Sequence, residues 1–338
     1  MADRVALLWT GRTVFYQRQR EDYVLKTILL TLAISALAFT PAFAEFPEKP
    51  IEIVVGYSAG GGTDVMARTV AQYLEKELGD GASVIVKNMP GAGGLIGFTE
   101  VAKAEPDGYT LGTFNLPAAF ALTKDRPAEY GVDSFTYLAN FVDDPNTVVV
   151  SASSEFKSLE ELMASAKENA GAVTFGLASL GGNDHFAANM LADAAKAEFT
   201  LVPFKGAAMA RTALLGGHVA AGTMALSQTT SFKDDIRVLA VLSDERSAFR
   251  PDVPTAKELG FDVEMSSLRG IVAPAGLNAE ITEKLRNALK AVNANPDFQK
   301  AMAEQGNPMA FVAGDAFADL ARKQDGVAQA IWDKNPWK

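Results

Sequence analysis

The stretch Pro50-Ile51-Glu52-Ile53-Val54-Val55-Gly56-Tyr57-Ser58-Ala59-Gly60-Gly61-Gly62-Thr63-Asp64 decides the fold. A short β-branched run reads as a buried strand. The glycines after it read as a tight turn, and apolar residues at Val65, Met66, Val70, Tyr73, Leu74 and Leu78 follow at helical spacing until Gly79. Strand, glycine loop, helix start: this order presents unpaired backbone N–H groups and the positive end of a helix dipole at one point.

The same alternation continues outward. Ser83–Lys87 and Tyr109–Phe114 read as strands around a short helix, Leu95–Ala104, which Pro106-Asp107-Gly108 closes. Such βαβαβ order predicts a parallel, doubly wound sheet. Further strands are expected over Thr147–Ser151, Val173–Ala178, Thr200–Phe204, Val219–Met224 and Ile236–Leu242. Helices are expected over Ser158–Asn169, His185–Lys196 and Ala208–Leu215, the first with a capping box from Ser158 to Glu161. Val263–Val272 reads as extended, and Ala279–Ala294, Pro296–Gln305 and Asp315–Trp332 as amphipathic helices. The economical architecture is α/β, with two doubly wound lobes and a central cleft. Residues 45–146 and 264–338 form one lobe and 147–263 the other. Two crossing segments near Thr147 and Val263 would act as a hinge.

The N-terminus reads as a leader. Lys26, the apolar run Thr27–Phe39, Pro41 and the triplet Ala42-Phe43-Ala44 match a secretory signal peptide, with cleavage after Ala44. A membrane anchor is the alternative, but the run falls short of the roughly 20 residues a spanning helix needs. Met1–Tyr23 is charged and long for such a leader, which suggests initiation near Val24. Removing residues 1–44 takes away five basic and three acidic residues and leaves 26 and 38, a formal charge of −12. That charge repels DNA and anionic membranes, so a nucleic-acid partner is not expected. The chain has no cysteine and two histidines, His185 and His218, which removes disulfides, thiolate chemistry, lipid anchoring at a cysteine and His-rich metal sites. No cofactor is expected, and the reading is a soluble periplasmic monomer.

The loops carry the chemistry. Gly60-Gly61-Gly62-Thr63-Asp64 reads either as a structural cap or as an anion site built from helix-start amides. Gly56-Tyr57-Ser58-Ala59-Gly60 also matches G-x-S-x-G, the pattern of a nucleophile elbow, with His185 or His218 as base. Too little chain precedes it to supply an oxyanion loop, so a secreted esterase using Ser58 stands as the alternative function. Gly91-Ala92-Gly93-Gly94 departs from a dinucleotide fingerprint, because Ile96 replaces the last glycine and no acid closes the second strand. Ala178-Ser179-Leu180-Gly181-Gly182-Asn183-Asp184 and Phe204-Lys205-Gly206-Ala207 are two more strand–loop–helix starts. Ligands of such sheets sit beyond the carboxyl ends of the strands, so these loops are expected to face Gly60–Asp64 across the cleft. Opposed helix starts suit a ligand with a carboxylate at each end. Lys205 is either the cationic partner or a solvated turn residue, His185 reads as capping, and His218 reads as a turn residue.

The ordered motifs resemble one family. They are Pro50-Ile51, Gly60–Asp64, Asn88-Met89-Pro90-Gly91-Ala92-Gly93-Gly94, Pro106-Asp107-Gly108-Tyr109-Thr110-Leu111, Gly217-His218-Val219 and Asp252-Val253-Pro254-Thr255. Together, over Phe46 to Phe317, they resemble the Bug family, the extracytoplasmic receptors of tripartite tricarboxylate transporters. The resemblance implies a type II periplasmic binding protein fold, no enzymatic activity, a small organic acid ligand and a membrane permease as partner; a sensory partner is an alternative use of the same pocket. It implies ligand contacts from Tyr57, Ser58, Gly61, Gly62, Thr63, Asp64 and Asn115 on one lobe. From the other it implies Ala178, Ser179, Lys205, Gly206 and Ser227. Leu268-Arg269-Gly270 looks like the tricarboxylate branch, where Arg269 either grips an anion bidentately or stays structural. Many members carry an Asp after the strand ending near Ala225. Here Leu226-Ser227-Gln228 follows, which favours plain carboxylates over ligands with an amine.

Overall fold

A computed structural model describes residues 46–79, 81–334 and 336–337. The signal-peptide expectation, residues 1–44, lies outside the described residues. From Pro47 onward the chain clusters as one unit.

Strand β1 (Ile51–Val55) leads through the glycine loop into helix α1 (Gly62–Leu78). Strand β2 (Val84–Asn88), helix α2 (Leu95–Lys103) and strand β3 (Thr110–Leu116) follow as expected. β1 pairs in parallel with both β2 and β3. After a short helix α3 (Ala118–Asp125), the long strand β4 (Phe135–Ser151) crosses the whole molecule. Helix α4 (Leu159–Glu168) is capped by Ser158, whose Oγ accepts from Glu161 N–H at 3.2 Å. Glu161 returns the contact one residue early, accepting from Lys157 N–H at 2.6 Å. Strand β5 (Val173–Leu177), helix α5 (Asn183–Ala195), strand β6 (Phe199–Pro203), helix α6 (Ala207–Leu215), strand β7 (Ala221–Ala225) and strand β8 (Ile236–Val241) complete the second block. β5 pairs in parallel with β6 and β7. Strand β9 (Ser266–Pro274) returns, then helix α7 (Ala279–Ala294), helix α8 (Pro296–Glu304), strand β10 (Met309–Ala313) and helix α9 (Asp315–Lys334).

The strand order is β2-β1-β3-β9-β4-β7-β5-β6, with β8 and β10 also on β4. The expected parallel triplets are present on each side. Between them stands an antiparallel centre, built from the two extended segments expected only to cross between the lobes. β9 pairs with both β3 and β4, and β4 changes partner from β9 at Pro145 to β7 at Asn146. The segment Asp143-Asp144-Pro145-Asn146 is composed of turn-favouring residues, yet it is extended. Neighbouring strands pair its backbone, and Asp144 is held by Arg269 and Ser227, so tertiary pairing overrides local preference.

Aromatic contacts hold the first side: Phe114 meets Phe98 and Phe120 edge to face at ring separations of 5.4 Å and Phe135 in a tilted pair at 4.6 Å. On the second side Phe175 stacks on Phe199 at 4.7 Å. Each fully buried phenylalanine contributes roughly 1.5–3 kcal/mol of apolar transfer. These clusters hold the strand ends that carry the glycine loops.

Candidate ligand-binding site

The first wall is the start of α1. Gly56 lies against the Gly91–Gly94 loop: a β-carbon on Gly56 would sit 2.9 Å from Gly94 O, and one on Gly97 would sit 2.6 Å from Gly56 Cα. Close backbone approach therefore requires both glycines. Asp64 folds back on its own loop. Its Oδ2 accepts from Gly60 N–H (2.9 Å) and Arg68 Nε (3.1 Å), and its Oδ1 from Asn88 Nδ2 (2.8 Å). Burial alone would raise this carboxyl, but the hydrogen bonds from Arg68, Gly60 and Asn88 and the Arg68 charge hold it below the usual range. The N-cap is Gly61, which has no side chain to bond the first-turn amides. Thr63 at the second helical position receives a hydrogen bond on Oγ1 from Asn115 Nδ2 at 2.8 Å.

Against this helix start lies Arg269, a side chain 1% exposed. A β-carbon on Gly62 would meet its Nη1 at 2.8 Å. Nη2 donates to Asp144 Oδ2 at 2.6 Å, and Nη1 donates to Ser227 Oγ and Asn307 Oδ1, each at 3.2 Å. Ser227 donates its own N–H and hydroxyl to Asp144. Burial pushes the Asp144 carboxyl up, against the pull of Arg269 and the Ser227 hydrogen bonds. A guanidinium at the positive end of a helix is an unfavourable pairing by itself. Asp144 offsets part of it, and an anion between the two would offset the rest.

The second wall is the start of α5. Gly182 is its N-cap, again with no side-chain cap. Here Gly181 N–H donates to His185 Nδ1 at 3.1 Å, and burial pushes the His185 imidazole down to about 4, so the ring stays neutral and able to accept. Asp184 is thereby left free of that duty. Its Oδ1 accepts from Asn146 Nδ2 at 2.7 Å and its Oδ2 from Ala178 N–H at 3.1 Å. Burial pushes this carboxyl up to about 6 despite those bonds and the Arg269 charge. Asn183 donates through Nδ2 to Leu116 O and Ser266 O, tying this helix start to the centre of the sheet.

Between the walls lies a cavity of ≈ 60 Å³. It is lined by Tyr57, Ser58, Gly61, Gly62 and Thr63 from the first loop, and by Ala178, Ser179, Gly182, Asn183 and Asp184 from the second. Arg269 and Asn146 come from the antiparallel centre. Ser58 Oγ donates to Lys205 O at 2.8 Å and so clasps one loop to the other side. Burial pushes the Tyr57 phenol up, which keeps it a donor at the cavity wall.

The family model described as "Tripartite tricarboxylate transporter family receptor" matches residues 66–331. This chain belongs to that family. Among curated relatives, the receptor is 32% identical to Protein BugT of Bordetella pertussis over 84% of this chain and 88% of the relative. Among solved structures, the periplasmic binding protein BugD superposes with a TM-score of 0.80 at 30% identity, covering 86% of this chain and 98% of that one. MatC from Rhodopseudomonas palustris with bound malate gives 0.78 at 26%, covering 85% and 99%. A second R. palustris structure, with adipate, gives 0.78 at 26%, covering 86% and 96%. The Bug-type receptor assignment and the periplasmic binding protein fold both stand on these matches. Among the described residues no helix is long and apolar enough to cross a membrane.

Of the residues singled out in the receptor's sequence, Tyr57, Ser58, Gly61, Gly62, Thr63, Asn115, Ala178, Ser179 and Arg269 line the cavity together. Four stand elsewhere. Asp64 is turned into its own loop, and Lys205 and Gly206 line a neighbouring cavity with Gly91–Gly94. Ser227 holds Asp144 and Arg269 from behind and faces a third cavity. Neither histidine lines the cavity that holds Ser58. The lining also includes Asn183 and Asp184, which belong to the loop expected to face the cleft but were given no contact role, and Asn146, Gln228 and Ser267, which sequence reading missed. Asp184 carried a signal, since it follows two glycines at a helix start as Asp64 does. Asn146 carried none, because it sits in the turn-like run that proved to be strand.

Proposed function

We propose that this chain is a periplasmic solute-binding protein that captures a small di- or tricarboxylate and delivers it to the permease of a tripartite tricarboxylate transporter. The observation that carries this reading is Arg269, buried and packed on Gly62 where the first-turn amides of α1 lack a side-chain cap. Backbone amides, a helix end and a guanidinium converge on one point, the arrangement that favours a carboxylate. The malate and adipate held by the R. palustris neighbours are of the same chemical class. Residues 45–146 with 264–338 act as one lobe and 147–263 as the other, and the ligand shifts the population toward the clasped form. The protein works as a monomer after removal of residues 1–44, without catalytic activity. Against the esterase reading, Ser58 donates to a backbone carbonyl, Lys205 O, which is no general base.

A thermal-shift screen of small organic acids on the mature protein tests this. A true ligand at about a thousandfold its Kd adds roughly 4 kcal/mol of stability. Ester turnover that vanishes in Ser58→Ala, with no acid raising the melting temperature of the parent protein, would replace the receptor by the hydrolase. N-terminal sequencing of secreted protein is expected to begin at Glu45; a start elsewhere rejects the cleavage assignment.

A further inference from the structure

The two walls of the cavity are aligned element for element but opposite in polarity. Counting from the glycine N-caps, Thr63 and Asp184 occupy the same helical position, and each is gripped by an asparagine Nδ2, from Asn115 and Asn146 respectively. Thr63 can donate or accept a hydrogen bond, so the Asn115 amide, whose Oδ1 is also buried without a partner, can turn either end to it. Asp184 is acceptor-only when ionised, so it fixes the orientation of Asn146: the NH2 must face the carboxylate. The Asn146 Oδ1 is then left over. It is buried, Asn146 is 1% exposed, and Oδ1 has no hydrogen-bond partner. Gln228 Oε1, another lining residue, is also buried without a partner. A buried carbonyl oxygen with no donor costs about 1–3 kcal/mol. A bare carboxylate ligand cannot relieve that cost, because it brings only acceptors.

We infer that Asp184 and Asn146 form a donor-reading subsite, so that the ligand is a carboxylate bearing a hydroxyl or ammonium group beside the one gripped at Arg269. This rests on the receptor reading above and names the ligand class more narrowly. An ionised Asp184 bonded on both oxygens keeps lone pairs for a ligand O–H or N–H. Its elevated pKa, up to about 6, still leaves it ionised at neutral pH.

The test is calorimetric titration of the mature protein at pH 7.5 with acids that differ by one group: tricarballylate and citrate, then succinate, malate and aspartate. The donor-bearing member of at least one set is expected to bind about tenfold tighter or better than its plain counterpart, as sites built around a ligand hydroxyl reject the analogue without it. The malate and aspartate arms separate hydroxyl from ammonium. In Asp184→Asn, Asn146 can turn its carbonyl to the new amide and point its NH2 into the cavity. The preference is then expected to collapse to within about threefold or to invert toward the plain acid. Asn146→Ala, which removes Oδ1, is expected to lose it as well. Plain acids binding as tightly as their partners would mean that water already satisfies Asn146, and the inference falls while the receptor reading stands. A preference that persists in both variants also overturns it. If none of the five acids binds the parent protein, the carboxylate-receptor reading falls and takes this subsite with it.

Discussion

Gly60-Gly61-Gly62-Thr63-Asp64 and Gly181-Gly182-Asn183-Asp184-His185 are the same device with its charges rearranged. Each begins a helix from a glycine N-cap, and in each the residue four beyond the first glycine accepts that glycine's N–H: Asp64 from Gly60, His185 from Gly181. Where the acid does this internal work, the cavity wall is left electropositive, and Arg269 reinforces it. Where a neutral imidazole does it, the acid moves one position earlier and faces the cavity. A one-residue displacement of a carboxylate along a helix start thus sets the sign of a binding wall. A helix N-terminus is an anion site only if its own side chains do not occupy it first.

The largest expected effect tests the positive wall. Arg269→Ala leaves Asp144 buried without its cation and is expected to cost about 3–5 kcal/mol; denaturant unfolding should show it, together with loss of any acid-induced thermal shift. A cost below about 1 kcal/mol would mean that Asp144 is simply protonated there.

Next comes the acid of the second wall. Asp184 has a folded pKa raised from 3.8 to about 6, so its contribution favours the folded state at low pH and is lost as pH rises through about 6. Asp184→Asn is therefore expected to stabilise the protein at pH 7.5, by on the order of 1–3 kcal/mol, with the gain shrinking below about pH 5. His185 runs the other way. Its folded pKa is depressed from 6.5 to about 4, so its contribution is full above pH 6.5 and lost as pH falls toward 4. The two adjacent groups nearly cancel between these limits, and removing Asp184 should expose a steeper acid loss. Asp64, held low by its hydrogen bonds, contributes stability above 3.8 that is lost as pH falls through its depressed folded pKa, so Asp64→Asn is expected to destabilise at neutral pH. Equal pH profiles for the two Asp→Asn variants would break the contrast between the walls.

The glycines sharpen it further. Gly62→Ala drives a β-carbon to 2.8 Å from Arg269 Nη1, in a guanidinium that three partners hold in place, and is expected to cost about 1–3 kcal/mol and most of the ligand affinity. Gly182→Ala meets Ser179 Oγ at 2.6 Å, a side chain with one rotatable bond, and is expected to stay within about 1 kcal/mol of the parent. The smallest effect is Ser58→Ala. It removes the clasp on Lys205 O, worth about 1 kcal/mol, and should appear as a few-fold weaker affinity with no change in ester hydrolysis.

Most of the architecture was legible in the chain. Helices α7 and α8 start where the spacing puts them, and the parallel triplets follow from β–loop–α order. The first-turn glycines were legible as a wall because glycine after a buried strand has few other uses. The antiparallel centre was not: Asp143-Asp144-Pro145-Asn146 carries turn chemistry, and its partners, Ser266 to Leu268 for the first three and Ala225 for Asn146, lie far along the chain. The polar residues that disguise the strand are the ones that build the site. Local rules fail where function places buried polar groups against preference.

The order of amino acids determined the alternation of strands and helices, the glycine loops and the acidic surface, all of which depend on neighbours a few residues apart. Which loops face each other, that Arg269 meets Gly62, and that Asp184 rather than Asp64 turns into the cavity were decided by tertiary structure. Those outcomes rest on contacts between residues up to more than a hundred positions apart, such as Arg269 with Asp144. Charges and amides change meaning with what lies opposite them, and the linear chain does not carry that geometry.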